Sequence, residues 1–262
     1  MVLFAHIDAT CEHPSWGQLG CDVSEAASPR LVGFGSVDMR SRERKRHSHQ
    51  AAFDRVEVSG VYARLTLHTA DPERLGELIS HYEHEVRTDF THQAGSRGMS
   101  VLVNDDLGVA LVEAYWATED AMRANDASFV RPVHDAAFFG ATVSIEHYEV
   151  ARFVHVAPAR PGAAINMTRL DSQPKSIDDI RAAYDDLAIE PLATSNGFCT
   201  AVLLIDPESG HAVIETIWRD VEALVAARGL SAARRLDAVK GGNVTVRGID
   251  QYRLDFQAVE LE

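Results

Sequence analysis

The chain has 262 residues, 46% of them hydrophobic and 24% charged, with a formal net charge of −14. This length can hold one large domain or two small ones. So acidic a chain lacks the basic face that phosphate binding requires, which excludes a nucleic-acid partner. No apolar run approaches the roughly 20 residues of a membrane-spanning helix, so a membrane partner is also excluded.

Residues 1–55 belong to neither of the two similar stretches that follow them. The segment mixes Pro, Gly, Ser and Cys without a period and carries a basic run from Arg40 to Arg46. A basic run can act as a nucleic-acid or membrane arm. We favour a disordered tail, or residues upstream of a true start at Met39, and therefore expect 1–55 to be an N-terminal extension.

Residues 56–158 are predicted to form the first of two domains. An alternating strand precedes a helix that opens at Asp71 and Pro72, a cap and a first-turn residue. Apolar residues then recur at helical spacing, followed by a hairpin, a helix from Thr118 towards Phe139 and a last strand. The predicted strands are Val61–Leu67, Met99–Val103, Val109–Trp116 and Val143–Val150.

Residues 159–262 repeat that order and are predicted to form the second domain. The clearest match is Glu113-x-x-Trp116 against Glu215-x-x-Trp218, and Tyr148 corresponds to Tyr252. The predicted elements are strands Ala164–Leu170, Thr200–Ile205, His211–Trp218 and Val244–Phe256, with helices from Ser176 towards Leu192 and from Val221 to about Val239. A period near one hundred residues indicates duplicated domains rather than a solenoid.

Each half is thus a βαββαβ unit, with helices on one face of an antiparallel sheet and the other face needing cover. We predict an α+β fold of two tandem ferredoxin-like repeats packed sheet to sheet as an intramolecular α/β barrel. The three cysteines show neither a disulfide framework nor zinc spacing, and Cys199 is expected to be buried. A reducing cytoplasm suits this composition best.

A ferredoxin-like half with Trp116 at the end of its third strand, followed by Thr118-Glu-Asp-Ala-Met-Arg-Ala124, resembles the antibiotic biosynthesis monooxygenase family. Proteins of that family are dimeric α/β barrels, and here the pair looks fused. The resemblance implies a cytoplasmic oxygenase of secondary metabolism that oxidises an aromatic polyketide, quinol or anthrone with molecular oxygen. It implies no metal and no bound cofactor, with reduced flavin as a co-substrate and haem as alternatives.

Two other functions stay open: a non-catalytic barrel that binds an aromatic ligand or haem, and a barrel that mediates assembly. The fused pair already supplies the usual dimer contact, so we expect a monomer or a homodimer. Many family members carry a His in the first turns of the second helix. This chain has Asn125 or Asp126 there, and Ala227 or Arg228 in the second copy, so another residue must take that role.

The resemblance suggests Trp116 as a catalytic residue whose indole N–H donates to a substrate oxygen at a pocket rim. Histidine is the natural acceptor of a phenolic proton near neutral pH, and six histidines lie between Gly60 and Phe153 against one between Gly162 and Phe256. His134, beside Pro132 on the second helix, is our choice of base. Tyr62 completes the catalytic set. The alternative for the tryptophans is a core aromatic, and for the histidines a solvated helix face.

Arg64 shares a strand face with Tyr62, and we align these two residues with Met167 and Ile165 of the second copy. A charged residue within a packed strand needs a partner or a pocket, so the first half is expected to hold the working site. The predicted substrate-binding residues are Arg64, Tyr82, Tyr115, Trp218 and Asn166.

For two further features we favour an interpretation without a catalytic or metal-binding role. Glu113 and Glu215 lie on the opposite strand face from the tryptophans and could act as bases, but a solvated or ion-paired carboxylate is the interpretation we favour. His81 and His84 have a spacing that could bind metal, yet no third ligand stands at a diagnostic distance, so no metal site is predicted.

Overall fold

The computed structural model describes residues 54–56, 60–128, 137, 139–184, 189–241 and 244–259, all within one compact unit, Ala51–Glu262. The predicted extension lies outside the described residues except for its last two positions. The strands are β1 (Asp54–Val56), β2 (Tyr62–Thr69), β3 (Ser96–Asn104), β4 (Val109–Trp116), β5 (Thr142–His155), β6 (Ala164–Ser172), β7 (Phe198–Asp206), β8 (His211–Trp218) and β9 (Val244–Val259). The helices are α1 (Leu75–His81), α2 (Arg87–Thr91), α3 (Glu119–Ser128), α4 (Ile177–Ala183), α5 (Ile189–Ala193) and α6 (Val221–Gly241).

Eight of the strands close into an antiparallel barrel. Their order is β5-β2-β4-β3-β9-β6-β8-β7, and β7 pairs with β5 to complete the ring, while β1 adds to β5. The long strands β5 and β9 make this closure, because each pairs with its own repeat along its first part and with the other repeat along its last part. The predicted α+β fold, two βαββαβ repeats joined as an intramolecular barrel, is confirmed.

Alternation along the strands divides the buried side chains between two environments. One apolar cluster fills the barrel and joins both repeats, with Leu65 and Leu111 facing Met167 and Val213. Two further clusters lie between the sheet and the helices, one under each repeat. A side chain's parity on its strand therefore decides whether it faces the other repeat or its own helices.

The pairing of each first strand with its tryptophan fixes which residues correspond. Tyr62 lies opposite Trp116, and Ala164 lies opposite Trp218. Arg64 therefore corresponds to Asn166, and Tyr62 corresponds to Ala164. The alignment with Met167 and Ile165 was wrong by one residue, which exchanges the two faces of a strand.

The first helix begins later than predicted and is irregular. Asp71 caps a turn, its Oδ1 accepting from the Glu73 N–H at 3.0 Å, and α1 starts only at Leu75. Between α1 and α2 the chain forms a π-helix, Tyr82–Val86. Such insertions are frequent at functional sites because they shift side chains relative to a regular helix. Cys199 is buried, as predicted, and burial raises its pKa.

Candidate functional site

A buried arginine lies on the helix-facing side of the first repeat. Arg64 is 4% exposed, and its Nη1 donates to Asn125 Oδ1 at 2.8 Å and to Asp126 Oδ1 at 2.9 Å, both on α3. Burial lowers the pKa of Arg64, although Asp126 opposes that effect. A buried charge is tolerable only when it is paired and hydrogen-bonded, and α3 supplies both partners.

Asp126 also contacts a histidine on the neighbouring strand. His147 lies directly across from Arg64 on β5, and its Nε2 is 2.8 Å from Asp126 Oδ2. The two carboxylate oxygens thus serve different partners, one the guanidinium and the other the imidazole. We call Arg64, Asn125, Asp126 and His147 the α3 network. This distance suits an ion pair with a protonated imidazole, although Nε2 has no hydrogen-bond partner among the described residues.

A cleft of about 640 Å³ lies beside this network and draws on both repeats. Tyr62, Met122 and His147 form part of its wall on the first repeat. The β7–β8 turn closes it from the second repeat, held by Asp206 Oδ1, which accepts from the N–H groups of Glu208 and Ser209. We call this the first cleft. Its lining residues are Tyr62, Glu119, Met122, Arg123, Ile145–Glu149, Ile205–Ser209, His211 and Arg247.

The two tryptophans differ although their positions correspond. Both are completely buried, each with its ring edge-on to a phenylalanine, Phe90 or Phe198. Trp218 Nε1 donates to Thr216 Oγ1 at 3.1 Å, whereas Trp116 Nε1 has no hydrogen-bond partner among the described residues. The Arg64 guanidinium lies 4.9 Å from the Trp116 ring centroid. Trp116 thus lies behind the first cleft instead of at its rim.

A histidine–tyrosine pair extends the polar interior of the first repeat. His68 is completely buried and its Nε2 is 2.8 Å from the hydroxyl of Tyr82, the first residue of the π-helix. Burial lowers the pKa of His68 to about 4, so the imidazole is neutral near pH 7. The hydroxyl of Tyr82 interacts in turn with the Arg64 guanidinium.

The barrel interior holds a pair of glutamates that the sequence interpretation misjudged. Glu113 and Glu215, one from each repeat, are each 1% exposed and hydrogen-bonded to one another. Glu113 Oε2 also accepts from Ser100 Oγ at 2.7 Å and from the Tyr115 hydroxyl at 3.1 Å. Burial and the neighbouring carboxylate raise the pKa of Glu215 well above its ordinary value. Solvated or salt-bridged carboxylates were the wrong expectation, because this strand face is covered by the other repeat.

The structure brings together only some of the predicted site residues. Tyr62 lines the first cleft, with three of the others behind it: Trp116, Arg64 and Tyr82. Tyr115 lies on the opposite face of the sheet, inside the barrel, where burial raises its pKa well above the usual range. Trp218 and Asn166 belong to the second repeat, where Asn166 Nδ2 donates to Thr168 Oγ1 at 3.3 Å. The predicted base, His134, lies outside the described residues.

Sequence reasoning did not select the residues that form the α3 network around Arg64. His147 was one of several histidines, and Asn125 and Asp126 were noted only because a histidine was missing there. The signal that unites them is strand register, since His147 faces the same side as Arg64 on an adjacent strand.

Two negative findings concern the described part of the chain. No group of three or more His, Cys, Asp or Glu residues there could hold a metal ion. Likewise, none of the described helices is long and apolar enough to cross a membrane.

No protein-family model matches the chain. It is 28% identical to the uncharacterised protein Rv2557 of Mycobacterium tuberculosis over 182 residues, which is 69% of this chain and 81% of that one. It is 26% identical to Rv2558 of the same organism over 197 residues, 74% of this chain and 83% of that one.

Solved structures resemble the chain in fold at low sequence identity. An anthrone oxidase-like protein superposes with a TM-score of 0.57 and 18% identity, over 79% of this chain and 96% of that one. A presumed monooxygenase from Lactobacillus acidophilus superposes with a TM-score of 0.56 and 11% identity, over 77% of this chain and 97% of that one. The chain therefore has the ferredoxin-like α/β-barrel fold of these proteins, built as a tandem duplication within one polypeptide.

Proposed function

We propose that the first cleft binds an electron-rich aromatic substrate, a quinol or anthrone of the polyketide type, and promotes its oxidation by molecular oxygen. The observation that carries this proposal is the α3 network, in which Asp126 joins the buried Arg64 to His147 at the cleft wall. Supporting it, an anthrone oxidase-like protein shares the fold. The proposal includes no resident metal or cofactor.

The cleft offers the substrate one apolar and one polar wall. Tyr62 and Met122 provide an aromatic and a thioether surface for a planar ring system, and such contacts supply most of the binding energy of small aromatic ligands. His147 provides the polar group that orients a phenolic oxygen. The cleft volume of about 640 Å³ is ample for a fused three-ring molecule.

Proton transfer falls to His147. With Nε2 2.8 Å from Asp126 Oδ2, we assign Nδ1 as the acceptor for the substrate's proton. The Asp126 carboxylate stabilises the imidazolium that forms, and Arg64 and Asn125 hold that carboxylate in place. A general base positioned in this way contributes on the order of 10² to 10⁴ to a rate.

The oxidation of an anthrone balances without a further reagent. Removal of a proton from the methylene carbon gives a carbanion, which reacts with O₂ to form a carbon–oxygen bond and a hydroperoxide anion. The imidazolium returns its proton to that anion, and loss of water leaves a carbonyl. One methylene and one O₂ thus become one carbonyl and one water, the carbon losing four electrons and O₂ gaining four.

Oxygen uptake by the purified chain with 1,8-dihydroxyanthrone tests this function, with and without an enzymatic supply of reduced flavin. We expect uptake above the buffer rate, and mass spectrometry should find one ¹⁸O atom from ¹⁸O₂ in the quinone. Uptake only with reduced flavin would make the flavin a co-substrate. Buffer-level uptake in both arms, or a Soret band in the purified protein, would contradict the proposal, the latter in favour of haem binding.

A further inference from the structure

The barrel has a second cleft that adjoins the first, since Glu146 and Arg247 line both. It measures about 540 Å³, and we call it the twin cleft. Its strand wall, Ile249–Tyr252, corresponds in register to Ile145–Tyr148 of the first cleft, because β5 and β9 pair alike with β2 and β6. Its hairpin wall includes Asn104 and Val109, which correspond to Asp206 and His211.

The twin cleft lacks the proton-transfer chemistry of the first. Gln251 stands in place of His147, and Val109 stands in place of His211. No histidine is among its described lining residues, so it has no imidazole there that can exchange protons near neutral pH. Catalysis of the kind proposed for the first cleft therefore has no base in its twin.

The twin cleft instead gains a fixed guanidinium. Arg169 replaces Leu67 of the first repeat, and its side chain is 14% exposed. Its Nε donates to Asp250 Oδ2 at 3.1 Å and its Nη1 to Glu146 Oε2, so the group is held firmly at the cleft wall. Burial opposes this charge, but hydrogen bonds and attraction from Glu146 and Asp250 raise the pKa of Arg169.

A second arginine completes a donor-rich lining. Arg247 lies more loosely, 3.5 Å from Asp171 and 4.0 Å from Glu146. The two lining carboxylates, Glu146 and Asp250, already bind Arg169. The described lining of the twin cleft is thus balanced in charge, whereas that of the first cleft has five carboxylates against two arginines.

We propose that the twin cleft is a second, non-catalytic binding site for an aromatic carboxylate. The carboxylate would interact with Arg247 and the exposed edge of Arg169, a pairing that guanidinium geometry favours. The aromatic body would lie on Leu67, Val109 and Ile249, with the Tyr252 ring beside it. Repulsion from the acidic lining directs such an anion away from the first cleft. This site does not depend on the oxygenase proposal.

Calorimetric titration of the full chain with 2-naphthoate tests the site, with uncharged 2-naphthalenemethanol as the matched ligand. We expect naphthoate to bind at least fivefold more tightly than the alcohol. Arg169→Leu, which installs the first repeat's residue, should weaken naphthoate binding at least tenfold. His147→Gln should change it less than twofold, because that residue lies in the other cleft.

Gln251→Glu is the second variant, since it adds a negative charge at an exposed position without disturbing the packing of Arg169. It should weaken naphthoate binding several-fold at low salt and by less at high salt. Absence of naphthoate binding, loss of binding in His147→Gln, or unchanged affinity in both cleft variants would overturn the site. None of these measurements uses oxygen, so they stand apart from the test of the oxygenase.

Discussion

The two repeats share two polar barrel-facing positions and differ at two polar positions that face the helices. Glu113 and Tyr148 have the counterparts Glu215 and Tyr252 inside the barrel. On the helix-facing side, Arg64 is replaced by Asn166, and His147 by Gln251. The barrel-facing side also diverges, because Tyr115 and Leu67 have the counterparts Ile217 and Arg169, so polar residues beside both clefts differ between the repeats.

This difference shows that a duplicated chain can keep the contacts that close the barrel while its two repeats acquire different functional residues. Side chains of the two repeats pack against one another inside the barrel, so a substitution there must suit both sheets. A helix-facing site has no such constraint once a second copy exists. The α3 network of the first repeat is such a site, and the second repeat has Asn166 and Gln251 in place of Arg64 and His147.

The largest expected effect comes from making the first repeat resemble the second. His147→Gln removes the proposed base and should lower kcat/KM for anthrone oxidation about 10²- to 10⁴-fold. Exposed His84 on the π-helix provides the control, since His84→Gln should leave the rate within twofold. Steady-state oxygen uptake measures both, and equal rates for the two variants would show that His147 is not the base.

Replacing each of the paired glutamates by glutamine should change the free energy of unfolding in opposite directions. Glu215 has a raised pKa, so its proton is retained on folding, and stability is lost as pH rises above the unfolded value of 4.5. Glu215→Gln keeps the shape without that loss and should stabilise the chain at pH 8. The gain is about 1.4 kcal/mol for every tenfold by which folding tightens proton binding to this carboxyl.

Glu113→Gln should instead destabilise by about 1–3 kcal/mol, because Ser100 and Tyr115 then donate to a poorer acceptor. Urea unfolding at pH 6 and pH 8 measures both variants. If the two substitutions had equal effects, the hydrogen bonds that Glu113 accepts from Ser100 and Tyr115 would not distinguish the two carboxyls.

His68 gives the first repeat an acid sensitivity that the second repeat lacks, since its counterpart is Leu170. The unfolded chain takes up a proton on this residue near pH 6.5, but the folded chain does so only near pH 4. Stability is therefore lost as pH falls through this window, by about 2 kcal/mol between pH 7 and pH 5.

His68→Leu should abolish that loss, and His84→Leu, at an exposed position, should retain it. The difference between the wild-type and variant curves of unfolding free energy against pH isolates His68 from Glu215, whose effect has the opposite sign. Parallel curves for wild type and His68→Leu would mean that this imidazole is not buried in its neutral form.

Periodicity and duplication predicted the fold because they record which strand face each residue occupies. The strands were predicted to within a few residues, and the match of Tyr148 with Tyr252 holds in the register. Periodicity could not predict which side chains of one repeat contact those of the other inside the barrel. Glu113 and Glu215 meet only because β5 and β9 close the ring, and nothing local to either strand distinguishes a covered carboxylate from a solvated one.

The site was harder to predict because the two repeats must be aligned to the exact residue before corresponding side chains can be compared. Aligning Arg64 with Met167 hid its true counterpart, Asn166, and with it the pattern of substitution beside the clefts. His147 lies across from Arg64 in the sheet, but Asp126, which contacts both, lies twenty-one positions before His147 on a helix. Sequence spacing alone cannot supply that contact.

The smallest effect concerns the tryptophans. Their rings are buried alike, but the N–H of Trp218 has a hydrogen-bond partner and that of Trp116 has none among the described residues. Trp218→Phe removes a hydrogen bond to Thr216 and should cost about 1 kcal/mol more than Trp116→Phe in unfolding free energy. Trp116 Nε1 has no described partner to lose, but the Trp116 ring lies 4.9 Å from the Arg64 guanidinium of the α3 network, so its replacement should instead appear in catalysis. We expect Trp116→Phe to lower kcat/KM several-fold and Trp218→Phe to leave it unchanged. Equal effects of both substitutions on rate and stability would assign both indoles to packing, because the contact of the Trp116 ring with Arg64 would then have no part in the rate.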